Sequence, residues 1–409
     1  MLKLLIENIL DREDTIMTEW KKIRLGNIIK MNENTYSPKE NWKFINYLDT
    51  GNITTGIIDN IKYINLFSDK LPSRAKRKVK MNSIIYSTVR PNQLHYGIIK
   101  EFPDNFLVST GFTVIDVDTE KALPDYIYYI LTQKDVIEHL QAIAEQSVSA
   151  YPSIKPSDLE NLEVFIPDIY TQIKVEAIIS LIDQKIKKNR EINNNLEQHA
   201  KAIFENEFLS LEILPKDWKQ ASLLDIADYL NGLAMQKYRP STDDEGIPVL
   251  KIKELRQGYC DDKSELCSTN IKHDYIIHDS DVIFSWSGSL LVDFWCGGTC
   301  GLNQHLFKVT SNKYDKWFYY AWTKYYLDHF IAVATDKATT MGHIKRDELA
   351  KAKVIIPNSR DYKRIGALIQ PIYDLIITNR IENRKLISLR DSILPKLMSG
   401  ELDVSKIDI

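Results

Sequence analysis

YTQIKVEAIISLIDQKIKKNREINNNLEQHAKAIFENEF, residues 170–208, reads as one long helix without a proline or glycine to interrupt it. Val175, Ile178, Ile182, Asn189, Ile192, Leu196 and Ile203 fall on the a and d positions of one heptad frame, and only Lys185 and His199 intrude. A frame held over four heptads predicts a coiled coil rather than a helix of a globular core. At 1.5 Å per residue the segment spans roughly 57 Å. Residues 361–398 carry the equivalent frame in Ile365, Leu368, Ile372, Leu375, Asn379, Leu386, Leu389 and Ile393. Each helix has an Asn at the same a position near its midpoint, Asn189 and Asn379. An a-position Asn costs stability and fixes register. If the helices pair antiparallel, Asn189 and Asn379 meet and satisfy one another; otherwise each bonds water at a frayed seam.

Working outward, the two helices are the ends of two copies of one pattern. Trp20 opens the first copy and Trp218 the second, Ser83-Ile84-Ile85-Tyr86-Ser87 returns as Asp281-Val282-Ile283-Phe284-Ser285, and Ile166-Pro167 returns as Ile356-Pro357. The offset is 198 residues at the tryptophans, 202 at Leu48 and Leu250, and 190 from Asp125 and Asp315 onward. Insertions are thus confined to the fronts of the copies, where loops on a shared scaffold carry specificity. Residues 20–150 alternate short apolar runs with turn residues and read as strands with a few helices, Asp125 to Ala144 being helical by pattern. Residues 218–340 repeat the plan, with Asp315 to Val333 as the matching helix. The strand Leu162–Ile166 and its twin Lys353–Ile356 precede the long helices. Two long antiparallel helices would hold the two fronts apart as a ruler, about an approximate two-fold axis.

Composition sets the outer limits. With 409 residues, 44% hydrophobic and 27% charged, the chain can bury more than one core. No apolar run approaches the ~18 residues of a membrane span. The opening MLKLLIENILDRED is too acidic for a secretory signal, and residues 1–16 are either an appended helix or precede a start at Met17. Cys260, Cys267, Cys296 and Cys300 lie in the second copy without a CxxC pair, which points to a reducing compartment and away from a zinc knuckle. Adenine methyltransfer would need a Gly-rich cofactor loop and an Asn/Asp-Pro-Pro-aromatic site, and a helicase-nuclease a GxxxxGK[ST] loop. The sequence has neither, nor G-x-S-x-G, nor HExxH. Glu254, Asp261, Asp262 and Lys263 read as a solvated loop rather than a metal nuclease cluster.

The order of motifs resembles the specificity subunit of type I restriction-modification systems. The resemblance rests on Trp20 and Trp218, GIPVLKIKEL (246–255), SDVIFSWSGS (280–289), NQHLFKV (303–309), MGHIKRDEL (341–349) and the ending RDSILPKLMSGELDV (390–404). It covers essentially all of the chain after Met17; the leading 16 residues are not required by the family. It implies an α+β fold: two mixed α/β target recognition domains separated by two long antiparallel coiled-coil helices, with a pseudo-two-fold internal repeat. The boundaries follow as an extension over 1–19, recognition domains over 20–153 and 210–343, and helical regions over 154–209 and 344–409. It also implies a cytoplasmic, non-catalytic subunit. Its partners would be double-stranded DNA, two methyltransferase subunits and a restriction/translocase subunit, with S-adenosylmethionine, ATP and Mg bound by those partners and no cofactor by this chain. Alternatives are a specificity module of a related type II or phage-defence methyltransferase, and a non-catalytic coiled-coil scaffold, which would not explain the divergent fronts.

Charge supports nucleic acid only locally. Lys and Arg number 17 against 14 Asp and Glu over residues 20–150, and 13 against 16 over residues 218–341. Arg74, Lys76, Arg77, Lys78 and Lys80 put five cations in seven residues, and Arg90, Asn92, Gln93 and His95 follow the next strand. Phosphate contacts position a protein on DNA, while Arg, Asn and Gln at base edges read sequence; the bland reading of the run is a solvated turn. Counterparts in the second copy are Gln236, Lys237, Arg239, Ser285, Trp286, Ser287 and Lys337 with Thr339 and Thr340. Trp286 either stacks on a nucleotide or closes a core. Two unlike fronts predict two unlike half-sites separated by unread base pairs, on the order of one to one and a half turns of duplex apart.

Overall fold

A computed structural model describes residues 20–147, 151–336, 344–404 and 407. It comprises two compact units, Met1–Asp183 with Leu389–Ile409, and Gln184–Ser388. The division passes through both long helices, α4 (Ile169–Phe204) and α9 (Ser359–Ser399). The extension over residues 1–19 lies outside the described residues.

In the first unit, β1 (Lys21–Arg24) pairs antiparallel with β10 (Glu163–Ile166). One four-stranded sheet runs in the order β4 (Lys62–Asn65), β3 (Phe44–Leu48), β8 (Phe106–Ser109), β5 (Ala75–Arg77), with β3 and β8 parallel. The other runs β2 (Ile29–Met31), β9 (Phe112–Val117), β6 (Ile84–Ser87), β7 (Tyr96–Ile98), all antiparallel. All four residues of β6 are buried, which is why its sequence is a continuous apolar run instead of an alternation. The helix expected from Asp125 to Ala144 is two helices, α1 (Pro124–Leu131) and α2 (Lys134–Glu145). Gln133 turns extended, at ψ 146, to cap the start of the second. The short α3 (Pro156–Glu160) precedes β10.

The second unit repeats these pairings, while the first also pairs Ile53–Thr54 with Ile57–Ile58 in a two-stranded sheet. β11 (Lys219–Ser222) pairs with β20 (Lys353–Ile356). One sheet runs β14 (Leu266–Cys267), β13 (Ile247–Leu250), β18 (Cys300–Leu302), β15 (Ile276–Ile277), with β13 and β18 parallel. The other runs β12 (Asp228–Asn231), β19 (Leu306–Thr310), β16 (Val282–Ser285), β17 (Leu291–Phe294). α5 (Ile252–Gln257) follows β13, and α6 (Lys316–Tyr325), α7 (Leu327–Asp336) and α8 (Arg346–Lys351) follow β19. The large core of this unit joins Trp317, Phe318 and Trp322 of α6 to Ile365, Ile369 and Tyr373 of α9.

The seam of the long helices differs in phase from the heptad reading. Ile186, Asn193 and Ala200 are buried on α4, whereas Lys185 and His199 are exposed. On α9, Ile369, Ile376 and Asn383 are buried, while Leu368 and Leu375 are 47% and 45% exposed. Steps of three and four residues both stay on one helical face, and the seam takes Ile186 and Ala200 in place of Lys185 and His199 at its flanks, and Asn193 in place of Ile192 at its middle. The two intruding residues therefore never enter it. Within the second unit Asn189 Nδ2 donates to Asn383 Oδ1 at 2.9 Å, and Asn379 Nδ2 donates to Asn193 Oδ1 at 2.9 Å. The direct pairing of Asn189 with Asn379 is thus replaced by two crossed pairs, because the antiparallel register sets each opposite an Asn four residues along the other helix. Asn193 Nδ2 also reaches the Ile376 carbonyl at 3.2 Å, and Asn383 Nδ2 that of Ile186 at 3.4 Å.

Each opening tryptophan seats against the end of a long helix. In the second unit the Trp218 ring lies 5.8 Å from Phe208, just beyond α4, and its Nε1–H donates to Asp361 at 3.0 Å. In the first unit Gly400, just beyond α9 and at φ 79°, lies against Trp20, where a Cβ would come within 2.6 Å of the indole nitrogen.

Candidate nucleic-acid interface

Three turns of the second unit converge at one end of the sheet β12-β19-β16-β17. Strand register sets Asn231 opposite Phe307, and Ser285 opposite both Leu306 and Leu291. The end of β12, the turn between β16 and β17, and the entry to β19 are therefore neighbours. Trp286 bridges them: its Nε1–H donates to Asn231 Oδ1 at 3.0 Å, and its ring lies 5.6 Å from Phe307 and 6.2 Å from His305. Gln304 Nε2 stands 3.4 Å from His305 Nε2, and the His305 backbone N–H donates to Asn303 Oδ1 at 3.2 Å. His305 Nδ1 is buried without a hydrogen-bond partner among the described residues. Gly232 lets the first turn approach the third, since a Cβ there would come within 2.2 Å of the Asn303 carbonyl.

Not every residue expected here faces outward. Ser285 is fully buried, its hydroxyl donating to the Ser289 carbonyl at 2.9 Å, and Ser287 is 2% exposed. These two serines brace the turn that presents Trp286. Gln236 and Lys237 are exposed on a 3-10 turn, and the exposed Arg239 pairs with Glu265 at 2.8 Å. Lys337, Thr339 and Thr340 lie outside the described residues. Asn231, Gln304 and His305 were not singled out by sequence reasoning; the NQHLFKV stretch held two of them, but nothing local ties them to Asn231 and Trp286.

The first unit builds the equivalent edge from other side chains. Asn32, after β2, is at φ 56° and accepts the Val114 N–H at 3.0 Å. Thr88 N–H donates to the Gly111 carbonyl at 2.9 Å, and Thr110 N–H to the Arg74 carbonyl at 2.8 Å, so these turns abut. Arg90 is left-handed at φ 49°, and its guanidinium lies over the Tyr151 ring at 5.1 Å. Asn92 and Gln93 are exposed, the Asn92 N–H held by Gln141 at 3.2 Å. His95 Nδ1–H donates to the Ile53 carbonyl at 2.6 Å.

The cationic run divides. Arg74 and Lys76 are exposed and form no ion pair among the described residues. Arg77 is half-buried, its Nε unpartnered, and burial pulls its guanidinium below the usual range. Lys78 pairs with Glu40 and lies over the Trp42 ring at 5.0 Å. Lys80 bonds Glu33 and Asp116, each at 3.1 Å, and the Glu33 bond leads in raising its pKa. Among the described residues no group of three or more His, Cys, Asp or Glu is placed to hold a metal ion, and no helix is long and apolar enough to cross a membrane.

Residues 17–198 and 215–388 each match the family described as the type I restriction modification DNA specificity domain. The chain belongs to this family. It is 21% identical to the type I restriction enzyme HindI specificity subunit of Haemophilus influenzae, covering 94% of this chain and 100% of that one. It is 24% identical to the MjaIX specificity subunit of Methanocaldococcus jannaschii, covering 95% and 98%. The crystal structure of the type I restriction-modification S subunit from M. genitalium, 15% identical, shares the fold with a TM-score of 0.55 over 95% of this chain and 98% of that one. That of the HsdS subunit from Thermoanaerobacter tengcongensis is 21% identical with a TM-score of 0.40, covering 94% and 97%. The two turn edges present groups whose chemistry suits nucleic acid. Asn and Gln amides and Arg guanidinium groups match base edges, and an aromatic ring offers a stacking face.

Proposed function

We propose that this chain reads a bipartite, asymmetric DNA target, one half-site per recognition domain, and directs partner subunits to methylate adenine or cleave. The observation that carries the reading is a repeated scaffold with unlike edges. Arg74, Arg90, Asn92, Gln93 and His95 stand in one unit where Asn231, Gln236, Trp286, Gln304 and His305 stand in the other. Equal strands with different donors, acceptors and ring faces select different bases. Two methyltransferase subunits binding S-adenosylmethionine and a restriction/translocase subunit using ATP and Mg supply the chemistry. The exposed Leu368, Pro371 and Leu375 on α9 form an apolar stripe suited to docking such a subunit. The test is to sequence methylated adenines in cells expressing the chain with its partner subunits. Two unlike short sequences around an unread gap are expected, and exchanging residues 20–153 for those of a relative should change one half only. A continuous palindromic motif would overturn the reading.

A further inference from the structure

Two arginines of α9 bolt the second recognition domain to its helices. Arg384 makes a two-pronged contact with Asp279, NH1 to Oδ1 at 2.7 Å and NH2 to Oδ2 at 2.8 Å, and NH1 also reaches the Cys296 carbonyl at 2.7 Å. Asp279 Oδ1 accepts the Gly298 N–H at 2.8 Å as well, and Trp295 Nε1–H closes the turn onto the Gly298 carbonyl at 2.6 Å. Gly298, at φ 91°, leaves room for the guanidinium: a Cβ there would stand 3.3 Å from Arg384 NH1. One turn earlier, Arg380 NH1 donates to Asp293 at 2.7 Å while its NH2 donates to Glu197 of α4 at 2.8 Å. Arg380 thus ties α9, α4 and β17 together at one point.

The position of this joint matters more than its strength. β17 leaves the Trp286 turn at Leu291 and reaches the joint at Asp293 and Phe294; β18 leaves the joint at Cys300 and runs toward the Asn303–His305 turn. The joint therefore lies at the far ends of β17 and β18, two of the strands that meet the candidate reading turns. Attachment itself does not need it, because Tyr320 and Phe294 already pack against Tyr373 of α9, with ring centroids 4.9 and 5.4 Å apart. Apolar burial is non-directional, whereas a two-pronged Arg–carboxylate contact fixes an angle.

We propose that Arg380 and Arg384 are positioning residues that set the angle of the second recognition domain on its helix pair, and so the length of the unread gap beside its half-site. This rests on the bipartite reading above. The experiment uses the enzyme assembled with its modification subunits and measures methylation of duplexes whose gap is the natural length or one or two base pairs longer or shorter. Wild type should favour the natural gap. In Arg380→Ala/Arg384→Ala the ratio of natural-gap to altered-gap methylation should fall about tenfold, equivalent to ~1.4 kcal/mol of lost discrimination. Lysine keeps the charge but loses the fork, so Arg384→Lys should fall between the two and serves where the double variant does not assemble. Exchanging the charges, Asp279→Arg with Arg384→Asp, should restore part of the ratio. Methylation that falls equally at every gap, with the ratio unchanged in both the alanine and lysine variants, would make the joint merely structural and overturn the proposal. A wild-type enzyme with no gap preference would instead sink the bipartite reading.

Discussion

Asp244 fastens the loop that follows Gln236, Lys237 and Arg239. Its Oδ1 accepts the Gly246 N–H and the Thr269 hydroxyl, both at 2.9 Å, and its Oδ2 accepts the Thr269 N–H at 3.0 Å. Hydrogen bonds, the Ser268 side chain's first among them, hold its pKa down to about 2, against an ordinary value of ~3.9. The fold therefore favours the ionised form, so the stabilisation is complete above the ordinary value and drains away as pH falls through about 2. The gap in melting temperature between wild type and Asp244→Asn should be constant near neutrality and narrow below about pH 4. A gap unchanged down to the acid limit of folding would refute this. The cationic run yields a second expectation. Arg74→Ala with Lys76→Ala should weaken DNA binding by the assembled enzyme uniformly across sequences and flatten the salt slope by up to about 0.9 for each phosphate no longer neutralised. Lys78→Ala, which gives up the Glu40 pair and the Trp42 face, should instead act mainly on folding. A slope untouched by the first pair would return the run to a solvated turn.

At the scale of the element, the Asn pairs make α4 and α9 a polar-specified seam. Asn193→Leu strands the Asn379 amide in a buried site, which should cost about 1–3 kcal/mol. Adding Asn379→Leu should recover much of that in chemical denaturation, since replacing both partners with apolar groups removes the unmet need. A double variant as unstable as the sum of the singles would argue against a paired seam. The long helices were legible because 3.5-residue periodicity survives any uncertainty of ends, but their phase was not. Leu368 beside Ile369, and Leu375 beside Ile376, offer apolar residues on both sides of the seam, and only packing chooses between them. The break at Gln133 was hidden for another reason: the polar stretch Thr132-Gln133-Lys134-Asp135 contains no proline or glycine to mark a helix end, and the extended backbone at Gln133 separates the two helices.

For the molecule as a whole, the strand plan was legible where it repeats, because each copy corroborates the other. The candidate interface was less so. Asn231, Trp286 and His305 lie on three turns well separated in sequence and become one surface only through strand register. Conversely, a compact local signal such as the cationic run proved divided, because Arg77 alone points to the other face of the strand, while Glu40, Glu33 and Asp116, distant in sequence, pair Lys78 and Lys80. The seating of Trp20 on Gly400 and of Trp218 beside Phe208 has a consequence for how the chain can be cut. Each copy opens beside the end of the other copy's long helix, so a connector from Gly400 to Trp20 would do there what the stretch from Leu209 to Asp217 does between Phe208 and Trp218. A circular permutant opened in that stretch, with Gly400 linked to Trp20 by a connector of comparable length, should fold, assemble and methylate the same sites as the parent.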